Sequence, residues 1–182
     1  DITRSASQDL SNDAYFNQQL IRVRAGRYDL VLVTLPCASW SRVQYKQGKG
    51  PRPMRSRRHP WGFPWIDGVR KAKLDQANDL TRKSIKAMEA AGMVGADFLT
   101  EFPEDLGEKA GHRPANMWQL PEIHVLAAKF NAVRFVFSQF DYGAKSAKPT
   151  GILTTCLRTK GFGQVGWHNL PQEGFYKRAF AA

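Results

Sequence analysis

Tyr28-Asp29-Leu30-Val31-Leu32-Val33-Thr34-Leu35-Pro36-Cys37-Ala38-Ser39-Trp40-Ser41 is the stretch whose reading decides the fold. Tyr28 to Leu35 is short, apolar and rich in β-formers, and it is bounded by Gly26 and Pro36. It predicts a strand buried on both faces, as in a sheet with helices on either side. In an open α/β sheet, ligands sit beyond the carboxyl ends of the strands. The loop from Pro36 to Ser41 is therefore the first place to look for chemistry.

Working outward, Tyr15, Phe16, Gln19, Leu20 and Val23 recur at helical spacing after Ser11, an N-cap type, and before Gly26. They predict a helix over Asp13 to Arg24. Val69 to Ala91 carries Leu74, Ala77, Thr81, Ile85 and Met88 on one face, with Gly92 as its cap. That is a long amphipathic helix. Ala96 to Thr100 reads as a strand ending at Glu101-Phe102-Pro103. Pro121 suits a first helical turn, and Ile123, Leu126, Ala127 and Phe130 form the face behind it. Val133 to Ser138 and Gly151 to Leu157 are two further β-rich runs. The order helix, strand, helix, strand, helix, strand, strand predicts an α/β sheet built by right-handed crossovers and closed by a final hairpin.

The division is one α/β domain over residues 1–160, with a basic Pro- and Trp-rich loop at 45–66, and a loop-rich tail at 161–182 that packs back on the domain or reaches toward a partner. A chain of 182 residues supports one sizeable core, and it has no apolar run of membrane-spanning length. Its formal charge of +11 suits a polyanion, DNA or RNA, rather than a membrane surface. The excess is uneven: Arg42, Lys46, Lys49, Arg52, Arg55, Arg57 and Arg58 follow one another with no acid between them. These cations, with Ser39 and Ser41, are the candidate nucleic-acid contacts. Cys37 and Cys156 are too few for a disulfide framework, so an intracellular, reducing compartment is expected, nucleus or organelle matrix. His59, His112, His124 and His168 are scattered without ligand spacing, so no metal is expected. Glu104, Asp105 and Asp97 read as solvated acids.

Pro36-Cys37-Ala38-Ser39-Trp40-Ser41 resembles the nucleophile loop of the DNA (cytosine-5) methyltransferase family, with Trp40 at the aromatic place and Ser41 at the Ser. Glu101-Phe102-Pro103 is similar to the family's Glu-Asn-Pro, with Phe in place of Asn. Gln139-Phe140-Asp141-Tyr142-Gly143 with Lys148-Pro149-Thr150 resembles a segment that some members carry between their last two strands. The resemblance implies a Rossmann-like class I methyltransferase sheet, incomplete at its amino terminus and ending in a β-hairpin. It implies Cys37 as nucleophile and Glu101 as the acid that binds or protonates the pyrimidine N3. It also implies S-adenosylmethionine as methyl donor, with Asp1 and Pro36 beside it. A thiolate attacking carbon 6 gives carbon 5 enamine character, which is why a Cys and an acid are needed together. The target base must leave the duplex stack, with the basic loop on the backbone and Trp40, Trp61 or Trp65 filling space or stacking.

A Cys near a strand end is by itself more often a small buried residue, and Trp61 and Trp65 could equally anchor the loop on the core. The pattern also departs from the family. Leu35 stands for a Pro, and no Gly-rich turn, whose backbone would approach the cofactor, precedes Tyr28. Two expectations follow. One is a methyltransferase-type enzyme whose cofactor half is supplied from elsewhere. The other is a domain that keeps the scaffold without catalysis, as a basic DNA- or RNA-binding or structural subunit of a nucleoprotein assembly.

Overall fold

A computed structural model of the chain describes residues 8–45, 50–145 and 148–159. Asp1, Lys46, Lys49, His168 and the carboxyl-terminal tail lie outside the described residues. The elements follow the expected order: α1 Asp13–Arg24, β1 Leu30–Thr34, α2 Gly68–Met93, β2 Asp97–Pro103, α3 Pro121–Lys129, β3 Val133–Ser138 and β4 Pro149–Thr154. Helix α1 is capped by Asn12, whose side chain accepts from the Tyr15 N–H, so the cap sits one residue beyond Ser11. Pro121 opens α3 as its missing N–H allows.

The four strands form one mixed sheet in the order β1-β2-β4-β3. Strands β1 and β2 are parallel, with Thr34 opposite Glu101, while β4 runs antiparallel to both β2 and β3. The closing hairpin is therefore present, and its second strand inserts between β2 and β3. Phe16, Leu20 and Val23 of α1, Met88, Ala90 and Ala91 of α2 and Ile123 and Leu126 of α3 share one core with Val33, Phe98, Phe102 and Leu153 of the sheet. Burial of large side chains such as Phe98 and Phe102 contributes roughly 2–3 kcal/mol each.

Strand β1 corrects the expectation of a strand buried on both faces. Val31 and Val33 point into the core, whereas Leu30 and Leu32 are 46% and 64% exposed. The reason is position. Among the described strands, β1 pairs with β2 alone and forms the edge of the sheet.

Strand β2 runs three residues further than expected, through Pro103, because β4 pairs along it from Leu99 to Pro103. The Glu101-Phe102-Pro103 motif is thus inside the strand. Helix α2 likewise passes through Gly92 and is capped at Val94, with Gly95 in the left-handed conformation that stops it. Gly92 serves packing: a Cβ there would lie 2.6 Å from the Phe130 ring. Ala at this position gains up to about 1 kcal/mol of helix propensity and incurs about 1–3 kcal/mol of overpacking. We therefore expect Gly92→Ala to lower stability by about 1 kcal/mol in urea denaturation. A stabilised variant would mean that Phe130 yields freely.

Candidate functional site

After β1 the chain turns in a single 3-10 coil, Ala38–Trp40, closed by the Trp40 N–H donating to the Cys37 carbonyl at 3.0 Å. The turn is fastened by Trp40, which is buried edge-on against Trp61 and Phe102 with ring centroids 6.2 and 6.1 Å away. Trp40 is a core residue and not a surface for stacking a base. Trp61 anchors the basic loop beside it, as one of the two expectations for that residue had it, whereas Trp65 stands exposed.

Arg55 completes this knot. Its guanidinium lies 4.0 Å over the Trp40 ring and is almost wholly buried. It donates to Ser39 Oγ at 2.9 and 3.2 Å, to the Pro60 carbonyl at 2.9 Å and to Asn78 Oδ1 at 2.6 Å. These partners are neutral, and burial, with Arg82 as a secondary cause, lowers the Arg55 pKa to about 10. Arg55 and Ser39 therefore leave the set of candidate nucleic-acid contacts: both are committed to the interior. Arg42 is also engaged, donating to the Leu106 and Glu108 carbonyls at 3.3 and 2.9 Å. Arg52, Arg57 and Arg58 remain exposed along the loop. Ser41 Oγ accepts from the Val43 N–H.

Because Arg42 holds the 104–108 segment against the Cys37 turn, a cavity of about 400 Å³ remains between them. Cys37, half-buried, lines it together with Ser41, Phe102, Glu104, Asp105, Asn116 and Lys148. Glu101 is not in its wall. Alternation along β2 sends Phe102 into the core with Phe98 and sends Glu101 to the opposite face. There Glu101 pairs with Lys148 Nζ at 3.3 Å, so Lys148 connects the cavity wall to the displaced acid. The sheet brings the two motifs to the same end, but on different faces. Pro36, exposed, is the described member of the expected cofactor pair.

Glu104 and Asp105 overturn the expectation of solvated acids, being 6% and 5% exposed. Asp97 is half-buried and accepts from Thr155 Oγ1 at 2.8 Å. Asp105 accepts from the Gln119 side chain and the Gly107 N–H. Glu104 is paired with Arg134, yet burial outweighs that attraction and raises its pKa above the ordinary 4.5. The sequence signal for these acids was Glu-Asp directly after a strand-end Pro; the Asn116 turn that roofs them, bonded to the Pro103 carbonyl at 3.2 Å, left no such sign. Among the described residues, no group of three or more His, Cys, Asp or Glu could hold a metal ion, and no helix is long and apolar enough to cross a membrane. Compared with protein-family models, curated proteins and solved structures, the chain matches none.

Two outcomes test this geometry. Arg55→Met keeps volume but strands the Asn78 and Pro60 oxygens, so we expect a loss of about 2–4 kcal/mol in chemical denaturation, against about 0.5 for Arg58→Met. Glu104 holds its proton to higher pH folded than unfolded, so its contribution is full below pH 4.5 and is lost as pH rises through the raised value. The stability difference between wild type and Glu104→Gln should accordingly fall from pH 4 toward neutrality. A pH-independent difference would put the acid in solvent.

Proposed function

We propose that this chain is a cytosine-5 methyltransferase-type domain that takes a nucleobase into the Cys37 cavity, with the Cys37 thiolate as nucleophile toward carbon 6 of cytosine. One observation carries the reading: the Cys of the Pro-Cys-Ala-Ser-Trp-Ser turn opens into a cavity of about 400 Å³, the scale of a small-ligand pocket. The mixed sheet supports it, since two parallel strands lead into a closing antiparallel hairpin. The partner is a nucleic acid, DNA first, which the charge of +11 and the exposed Arg52, Arg57 and Arg58 favour.

In the step available to these residues, Cys37 Sγ forms a bond to carbon 6 and the electron pair of the 5,6 double bond moves into the ring. A proton arriving at N3 neutralises it and leaves carbon 5 nucleophilic. The resemblance gives the acid's role to Glu101, which lies on the other face of the sheet paired with Lys148; Glu104, in the cavity wall, is the acid at hand there, and burial shifts it toward its protonated form against the pull of Arg134. Proton capture at carbon 5, loss of the original hydrogen, return of the N3 proton to the acid and expulsion of the thiolate regenerate cytosine. The described residues do not make an adenosylmethionine site: Asp1 lies outside them, and no glycine-rich turn flanks β1. Methyl transfer therefore stays an implication of the resemblance.

A non-catalytic base-binding or structural subunit is the second reading. It is favoured by Glu101 facing away and held by Lys148. Hydrogen exchange at carbon 5 separates the two without a methyl donor. Cytosine-containing single-stranded DNA incubated in deuterated water with the chain should gain deuterium at carbon 5, read by mass spectrometry, and Cys37→Ser should lose that exchange. Binding without exchange supports the second reading and rejects the first.

A further inference from the structure

A second cleft, of about 480 Å³, lies between the 50–66 loop and the 110–112 turn, apart from the Cys37 cavity. Tyr45, Arg52, Phe63, Trp65, Arg70 and His112 are among its lining residues, and among the described residues no Asp or Glu is. Its volume is that of a small-ligand site, about 300–1,000 Å³. Trp65 is 67% exposed, an unusual placement for the largest apolar side chain. It is nonetheless held in place: its ring stacks on Phe63 with centroids 4.7 Å apart and planes 10° from parallel, and His59 stands edge-on to it at 6.1 Å. One ring face is used by Phe63 and the rest of the indole is presented outward.

The rim is also built. Arg70 reaches from α2 to donate to the Arg52 and Pro53 carbonyls at 3.0 and 3.2 Å, which fixes the loop carrying Arg52. Tyr45, tilted against His112 at 5.5 Å, closes the other side, and its hydroxyl donates to the Arg55 carbonyl. A fixed, outward aromatic ring in a cleft that Arg52 and Arg70 also line, with no carboxylate among the described lining residues, matches an unpaired nucleotide. The base needs a π-face to stack on and the phosphate needs cations. Arg52 and Arg70 in the lining, beside an exposed indole, favour a polyanion with a planar base over a protein partner.

We propose that this cleft binds an unpaired nucleotide of single-stranded nucleic acid, the base stacking on Trp65 and the backbone passing Arg52, whose loop Arg70 holds in place. The site deepens the nucleic-acid partner of the reading above, and it needs neither the Cys37 thiol nor any acid.

Fluorescence anisotropy on the full chain tests it, using labelled oligothymidylate and an abasic strand of equal length. Trp65→Ala should weaken oligothymidylate binding about tenfold while leaving the abasic strand within about twofold. Trp65→Phe should restore most of the loss. Arg52→Ala should weaken both strands and lower the salt dependence by about one counterion. Because Trp65 is exposed, its variants should melt with the wild type. Equal effects of Trp65→Ala on both strands, no effect on either, or duplex bound as tightly as single strand would overturn the stacking site. Absence of exchange at carbon 5 by the wild-type chain, with this discrimination intact, removes the nucleophile and leaves the stacking site standing.

Discussion

A buried guanidinium organises this molecule. Arg55 joins three parts of the chain that are distant in sequence: the Cys37 turn through Ser39 and Trp40, its own loop through Pro60, and helix α2 through Asn78. Stripping an arginine of water costs several kcal/mol, and here neutral oxygens and an aromatic face replace the solvent instead of a carboxylate. Such an arrangement is stable because each partner is itself fixed. Asn78 belongs to a helix, Trp40 is wedged between Trp61 and Phe102, and Ser39 sits in a one-turn coil. The loop that composition alone would leave shapeless is thereby anchored from within. Both clefts inherit their walls from it, since Trp40 and Arg42 flank one and Arg52 to Trp65 the other.

The order of elements was legible because each carried its own periodicity. Phe16, Leu20 and Val23 mark α1, and Leu74, Thr81 and Met88 mark α2, at helical spacing; Val133–Ser138 was delimited to the residue. What was not legible is what tertiary pairing decides. Nothing in Glu101-Phe102-Pro103 says that β4 will pair along it, and that pairing makes these residues the last three of the strand. Since side chains alternate, the strand then assigns Glu101 and Phe102 to opposite faces. The substitution of Phe for Asn is consistent with this outcome: at 1% exposure, position 102 is a core site.

Charge was legible as a total and misleading by position. A run of cations without acids reads as a surface stripe, yet Arg55 is interior and Arg42 is spent on two carbonyls. Conversely Glu104 and Asp105, which look like solvent acids, are enclosed by Asn116, Trp118 and Gln119. Long-range neighbours make the difference in both cases. Gly151 has the same logic: a Cβ there would meet Glu104 Oε2 at 2.7 Å and the Trp118 ring at 2.9 Å, so the absence of a side chain on β4 makes room for a buried carboxyl.

The outer margin of β1, which no other described strand pairs, has a consequence for how the domain lives among other chains. Leu-Val-Leu-Val-Thr offers an outer row of backbone donors and acceptors with no Lys, Pro or bulge inside the strand to discourage addition of another strand. Exposed Leu30 and Leu32 add an apolar flank to that template. A margin of this kind favours zippering with any extended, apolar segment that meets it, including the same segment of a neighbouring molecule. The net charge of +11 opposes the second course, because like-charged copies repel before their strands can align. That repulsion is screened by salt and neutralised by a polyanion, so the two courses differ in how they depend on ionic strength.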